Sequence, residues 1–375
     1  MSLSVDVHHR LGSFEIEAAF ESSGRLTALF GPSGSGKSTL VNLIAGLMRP
    51  DRGYVTFGDR TLVDTGQRIF LPPYRRRIGY VFQDARLFPH FTVSQNLRYG
   101  RFFTPAAKRY ADFDHVVELL GLGNLLERRP SLLSGGEKQR VAIGRALIAS
   151  PRLILMDEPL ASLDDARKAE ILPYIERLRD ESRIPIVYVS HSLAEVTRLA
   201  TDVVVMSAGR VAAAGPAVAV LSRMDLLPDE DRDEAGTLIE FAVTGHEDEF
   251  GLTVLHSQGG EWRVPRIEVS AGGSVRARVR ARDVMIATEE PRGISALNVL
   301  PGLVAEVSAG ERSDALVAID CGGDRILARV TRRSLAGLGL EPGRRVFAVV
   351  KAVAFDKGST ARRAPPGSVA AGEGR

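Results

Sequence analysis

One cysteine, one tryptophan and no long uninterrupted apolar run stand out among the absences in this 375-residue chain. A lone Cys321 excludes an intramolecular disulfide and fits a reducing compartment. No stretch of about 18 apolar residues is present to cross a bilayer as a helix. Residues 1–10 also lack the apolar core of a secretory leader. Charge of one sign is scarce too: 49 basic against 46 acidic residues leave a formal +3, which is no argument for nucleic acid. The expectation is a soluble, intracellular chain of two or three domains, with any membrane role exercised through partners.

What is present is organised around Gly31-Pro32-Ser33-Gly34-Ser35-Gly36-Lys37-Ser38-Thr39. An apolar strand-like run, 26–30, precedes it, and a helical pattern with Leu40, Val41, Leu43, Ile44 and Leu47 follows. Strand, glycine-rich loop and helix at this spacing form a phosphate-binding loop. Gly31, Gly34 and Gly36 let the backbone curl so that successive N–H groups face one anion. The helix adds the positive end of its dipole. Lys37 reaches the β- and γ-phosphates, and the Ser38 hydroxyl is placed to ligate Mg²⁺. The chain is expected to bind a nucleoside triphosphate.

Before the loop, residues 1 to about 25 alternate (Leu3, Val5, Val7; then Phe14, Ile16, Ala18, Phe20) as antiparallel strands do. Phe14, His8 or His9 could stack on a base there, or simply fill a strand. After the loop, 78–82 reads as an apolar strand ending in Gln83. From Arg86 to about Asp112 the text is looser and carries Phe88, Phe91, Phe102 and Phe103, as in a helical insertion whose apolar surface faces a partner. Leu133-Ser134-Gly135-Gly136-Glu137 then opens a helix to about Ala149. Ser134 and Glu137 have the spacing of a capping box. The box does not explain two adjacent glycines, which weaken a helix start unless something must approach the backbone. This is a second anion clasp, without the lysine and hydroxyl of the first.

Residues 153–156 are wholly apolar, the pattern of a parallel strand buried on both faces. The run ends in Asp157, placed for a Mg²⁺ shell, and Glu158, placed to accept a proton from attacking water. A tight turn, Ala161-Ser162-Leu163-Asp164, leads to a helix from Asp165 to about Glu181. Strand 186–190 ends in His191, at the same sheet edge as Gln83 and Glu158. Residues 203–206 and 209–211 close the domain as a hairpin.

Taken together and in order, GPSGSGKST, the Gln83 loop, LSGGEKQR, LILMDEP, the ASLD turn and His191 make the first 220 or so residues resemble the ATP-binding cassette (ABC) ATPases. LSGGEKQR is the most specific of these. The resemblance implies an α/β P-loop domain with a mixed sheet and a helical subdomain. It also implies a use for the spare clasp: two copies pack head to tail as a homodimer, with ATP between Lys37 of one and Ser134, Gly135 and Gly136 of the other. In that picture Ser38, Gln83 and Asp157 hold Mg²⁺, Glu158 polarises the water, His191 contacts the γ-phosphate and Asp164 communicates across the dimer. No tyrosine stands at the family's adenine-stacking place before the loop. A single cassette with a C-terminal extension resembles an importer ATPase at the cytoplasmic face of the bacterial inner membrane. Such a subunit docks on two integral-membrane permease subunits and, indirectly, an extracytoplasmic binding protein. Nucleic acid is not an expected partner. A soluble ABC ATPase of repair or translation is the reading from a different class.

Past about Leu221 the composition changes. Residues 225–234 are acidic, and short strands with glycine turns follow. In 274–282, Arg276, Arg278, Arg280 and Arg282 share one face, either to attract an oxyanion or, as the favoured reading, as a solvated edge. Strands at 303–307, 315–319, 326–330 and 345–351 suggest a small closed barrel, and 356–375 has the composition of a disordered tail. Residues 281–284, 293–302 and 349–353 resemble the molybdate-binding Mop/TOBE (OB-like) barrel, and 81–100 resembles the molybdate importer ATPases. That implies ATP-driven uptake of molybdate or tungstate; importers of sulfate, sugar, polyamine or ferric ion are the alternative, since such barrels occur there too. Ser295 and Lys351 are the candidate oxyanion donors, because a tetrahedral dianion needs donors and little else. A dimerisation or docking barrel is the alternative. The expected division is a cassette over 1–225 with its helical subdomain at about 86–150, a connecting β segment over 226–284, the barrel over 285–355 and the tail over 356–375.

Overall fold

The apolar runs of the first half become the parallel centre of one sheet. Leu26–Phe30, Ile186–Ser190 and Leu153–Asp157 are buried almost throughout. They pair in parallel in that order, with Ile78–Val81 outside Leu153–Asp157. Strands covered on both faces need no polar alternation, which is why they read as continuous apolar text. Asp202–Ser207 joins Leu26–Phe30 in parallel from the other side and turns back antiparallel as Arg210–Pro216. Phe14–Ser22, Leu3–Leu11, Arg52–Phe57, Arg60–Asp64 and Ile69–Phe70 extend the sheet to eleven strands among the described residues. This computed structural model describes residues 2–182, 184–221, 223, 235–309, 313–352 and the backbone of 360–363. Parallel pairing brings the carboxyl ends of the central strands to one edge, and that edge receives the residues of interest.

Helix Lys37–Ala45 buries Leu40, Val41, Leu43 and Ile44 in the core of this sheet, each contributing roughly 1.5–3 kcal/mol by removal from water. Its far end is closed by Arg76, 2% exposed, whose guanidinium donates to Leu43 O at 3.1 Å and Ile44 O at 2.7 Å. Helix Val93–Phe102 forms where the text reads as loose. Thr92 Oγ1 accepts from Gln95 N, and Gln95 Oε1 accepts from Thr92 N. This reciprocal cap starts a helix that apolar periodicity alone does not reveal. Phe113–Leu119 and Gly135–Ile148 complete the helical insertion, and Asp165–Glu181 matches its expected span.

The contacts divide the chain into two units, residues 1–220 and 221–375. The second unit holds two five-stranded sheets among the described residues. One runs Gly260–Pro265, Leu252–Ser257, Gly236–Glu247, Ser274–Arg280, Thr360–Arg363; the other runs Val284–Ala287, Arg345–Val350, Asn298–Ala309, Asp314–Cys321, Asp324–Thr331. Phe241, Trp262 and Val275 of the first share a core with Val317, Ile319 and Ile326 of the second. Within the expected connecting β segment 226–284, residues 236–280 supply four of the five strands of one sheet. The arginine strand is also not a solvated edge. It lies between Gly236–Glu247 and Thr360–Arg363, Arg278 is 6% exposed, and Arg276 donates to Glu240 at 3.0 Å. Residues 360–363, inside the expected disordered tail, pair with 274–277. The acidic run 225–234, the boundary at 225/226 and residues 356–359 and 364–375 lie outside the described residues. Among the described residues no helix is long and apolar enough to cross a membrane.

Candidate functional site

The glycine-rich loop curls for stated steric reasons. Gly31 has φ 150°, and a Cβ there would stand 2.1 Å from Met206 O; Gly36 has φ 97°, with Phe14 and Ile16 side chains 3.2 Å from the same imaginary atom. Lys37 is 4% exposed, and its ammonium donates to Gly31 O and Pro32 O, each at 2.8 Å. Burial holds its pKa below the lysine value, with Glu158 and Asp157 opposing the shift. The ammonium also reaches Ser35 Oγ at 3.4 Å, so its partners all belong to the loop, and such an ammonium can exchange neutral acceptors for phosphate oxygens. Ser35 is 3% exposed behind it, whereas Pro32, Ser33 and Gly34 are exposed. The loop opens on a cavity of about 240 Å³ lined by Phe14, Ser33, Gly34, Gly36, Lys37, Ser38, Thr39 and Glu158. Of the three aromatic or imidazole candidates near the base, Phe14 is the one on this wall.

Ser38 and Asp157 meet as their sequence positions suggest: Ser38 Oγ donates to Asp157 Oδ1 at 2.8 Å. Burial pushes the Asp157 carboxyl above its ordinary value, and Glu158 adds to the push; the Ser38 and Tyr80 hydroxyls and Lys37 resist it. Hydroxyl and carboxylate are hard oxygen donors, the kind Mg²⁺ takes together with substrate phosphates. One hydroxyl and one carboxylate leave the other positions of such an ion to phosphate oxygens and water. Tyr80, whose hydroxyl is 3.2 Å from Asp157 Oδ2, escapes the motif reading. The available signal was a phenol inside an otherwise apolar strand leading to Gln83.

Glu158 follows with φ 45°, a left-handed turn rare for its type, and its N–H donates to Val189 O at 3.2 Å. His191 Nδ1 lies 3.4 Å from Glu158 Oε2. The structure therefore gathers the loop, Asp157, Glu158 and His191 at one edge. Gln83 is exposed past the end of its strand and does not line the cavity. Its loop is instead fastened to helix Gly135–Ile148: Gln139 Nε2 donates to Phe82 O at 3.2 Å, and Arg145 donates to Arg86 O at 2.8 Å and Ala85 O at 3.1 Å.

Ser134 caps that helix, accepting from Glu137 N while Glu137 accepts from Ser134 N at 2.7 Å. Ser134 is exposed, Gly135 half-buried and Gly136 buried, and none of them lines the loop cavity. Within one chain the second clasp is open and apart from the first. Asp164 caps Asp165–Glu181 by accepting from Arg167 N at 2.9 Å. Ser295 and Lys351 belong to the second unit, both exposed, just beyond the paired residues Asn298 and Val350.

A family model described as ABC transporter matches residues 19–161, and one described as TOBE domain matches residues 294–355. The chain is 63% identical to "Molybdenum import ATP-binding protein ModC" of Mesorhizobium japonicum, over 97% of this chain and 99% of that protein. It is 57% identical to the protein of the same name from Rhizobium meliloti, over 95% of this chain and 100% of that one. With the Brucella abortus protein of that name, identity is 50% over 95% and 98%.

Proposed function

The chain belongs to the Molybdenum import ATP-binding protein ModC family, and from this premise we propose how its residues do that work. It is the ATP-hydrolysing subunit of an ABC importer for molybdate, acting with membrane permease subunits. The observation that carries the mechanism is the convergence of Lys37, Ser38, Asp157 and Glu158 on one small cavity edge. The loop N–H groups and Lys37 hold the β- and γ-phosphates. Ser38 and Asp157 would hold Mg²⁺, which when bound would neutralise charge developing on the phosphate oxygens. Glu158 accepts the proton of the water that attacks the γ-phosphorus, and His191, beside it, contacts that phosphate. Phe14 offers its ring to the adenine.

The exposed second clasp supports a head-to-tail homodimer in which Ser134, Gly135 and Gly136 cover the partner's γ-phosphate and Asp164 reports across the interface. Gln83 would join Ser38 and Asp157 as a third oxygen ligand of the metal. The permease has a surface to meet: Phe102 and Phe103 are 82% and 67% exposed. Beside them Tyr74, Phe103 and Pro105 line a groove of about 550 Å³ with Arg60, Arg75 and Lys108 on its walls. An apolar floor with cationic walls suits a short permease helix bearing acidic residues. The complex then sits at the cytoplasmic face of the membrane, and an extracytoplasmic binding protein delivers the oxyanion. Ser295 and Lys351 at one end of a strand pair are the donors for molybdate in the second unit.

Replacing Glu158 by Gln tests the assignment. ATP turnover should fall by at least about 10²-fold, and an ATP-bound dimer should accumulate on size-exclusion chromatography. Normal turnover would remove Glu158 from its role.

A further inference from the structure

The strand Ile78–Val81 carries one polar side chain, and its hydroxyl ends at the metal carboxylate. Tyr80 Oη lies 3.2 Å from Asp157 Oδ2 and 3.1 Å from Asn42 Oδ1, while Ser38 donates to the other carboxylate oxygen. A phenol has one proton. With the Asn42 amide turned end for end, its N–H donates to the phenolic oxygen and the phenolic proton goes to Asp157, so every group is satisfied. Strand register explains the meeting. Tyr80 aligns with Leu155 of the neighbouring parallel strand, and Asp157, two residues on, faces the same side. Asn42 comes from helix Lys37–Ala45, packed over that face. The ring is held as well: it stacks on Phe82 with centroids 4.1 Å apart and planes at 24°. Phe82 in turn has Arg86 4.1 Å from its ring centroid and its carbonyl bonded to Gln139.

We propose that Tyr80 is a positioning residue whose hydroxyl holds Asp157 in the orientation that presents a carboxylate oxygen to the metal. Metal affinity then depends on a side chain that touches neither metal nor nucleotide. The inference rests on the reading of Asp157 as the magnesium carboxylate. The terminal torsion of an aspartate is broad. Ser38 alone pins one oxygen and leaves rotation about that contact, whereas a second bond to the other oxygen removes it. The stack on Phe82, the residue before Gln83, makes the same bond sensitive to where the Gln83 loop lies.

Tyr80→Phe keeps the ring and its stack and deletes only the hydroxyl. Mn²⁺ serves as the probe, with bound metal counted by electron paramagnetic resonance on the full chain with ATP. Loss of an outer-shell partner costs roughly 10–100-fold in metal affinity, so Mn²⁺ affinity should fall about tenfold or more while metal-free ATP affinity stays at the wild-type value. A purely structural role would lower the unfolding temperature without changing that ratio. Asn42→Ala loosens the phenol from its other side, leaving the ring alone, and should move the ratio the same way by a smaller factor. Asp157→Asn, run in parallel, separates the two claims. If it loses Mn²⁺ while neither Tyr80→Phe nor Asn42→Ala does, the positioning role is overturned and the magnesium reading stands. If Asp157→Asn itself binds Mn²⁺ like the wild type, both fall.

Discussion

Asp157 carries its charge in a poor place for one. Burial first, and Glu158 second, hold its carboxyl above the ordinary aspartate value of 3.8. In the proposed site a metal and a proton would compete for that carboxylate, so protonation would favour the metal-free form. Apparent Mg²⁺ affinity should therefore decline on the acid side at a pH higher than an ordinary aspartate would set. In Glu158→Gln the neighbouring charge is gone, the Asp157 pKa drops, and the acid limb moves to lower pH. Mg²⁺ titrations of the ATP-loaded protein across the acid range read this directly; an unmoved limb would detach Asp157 from the metal. Most of the site's chemistry was legible at this scale because it is local. The positive φ of Gly31 and Gly36 belongs to the curl of their own loop and Glu158 and His191 stand at the ends of their own strands, whereas the Met206 carbonyl that crowds Gly31 comes from a distant strand. Tyr80 was not legible, since its partner Asp157 is 77 positions away and no spacing rule connects them.

At the scale of elements, two helices are set by what happens at their ends. Helix Lys37–Ala45 starts at the loop cavity without a side-chain cap, and its last carbonyls are closed by Arg76. Burial lowers the Arg76 pKa to about 10, a cost offset by the negative end of the helix dipole. Helix Gly135–Ile148 is capped by the reciprocal bonds of Ser134 and Glu137, whose carboxylate is held below its usual range by the Ser134 N–H. That cap alone would make Ser134 structural. Ser134→Ala and Glu137→Ala both break the box, the first at about 1 kcal/mol, yet only the first removes the exposed hydroxyl. ATP-driven dimerisation should fall much further in Ser134→Ala than in Glu137→Ala, measured by sedimentation equilibrium in the Glu158→Gln background. Equal losses would leave Ser134 as a cap and nothing more. Helix Val93–Phe102 teaches the converse lesson. Its Thr92 and Gln95 signal was present in the text, but its apolar face is thin, with Val93, Asn96 and Leu97 buried, so periodicity gave no reason to look for it.

At the scale of the whole molecule, a nucleotide-binding unit and an all-β unit share one chain, and the second carries the TOBE match with Ser295 and Lys351 inside it. If that unit takes the transported oxyanion, saturating molybdate should slow ATP turnover of the assembled transporter, and Lys351→Ala should restore it. The comparison is made at constant ATP, with sulfate as the control anion. Turnover indifferent to molybdate would leave the unit with a docking or dimerising role.

Sequence alone determined what the cassette does with a triphosphate, because loop curl, helix caps and strand-end acids are dictated within a few residues of themselves. Only the tertiary structure decided which of those groups meet and what surrounds them. It set Tyr80 against Asp157 and left Gln83 outside the cavity. It placed the arginine strand Ser274–Arg280 inside a sheet and joined the strands of 236–280 to the core of the second unit. The physical reason is pairing: register and burial are properties of two segments at once, and a single stretch of text carries only its own half.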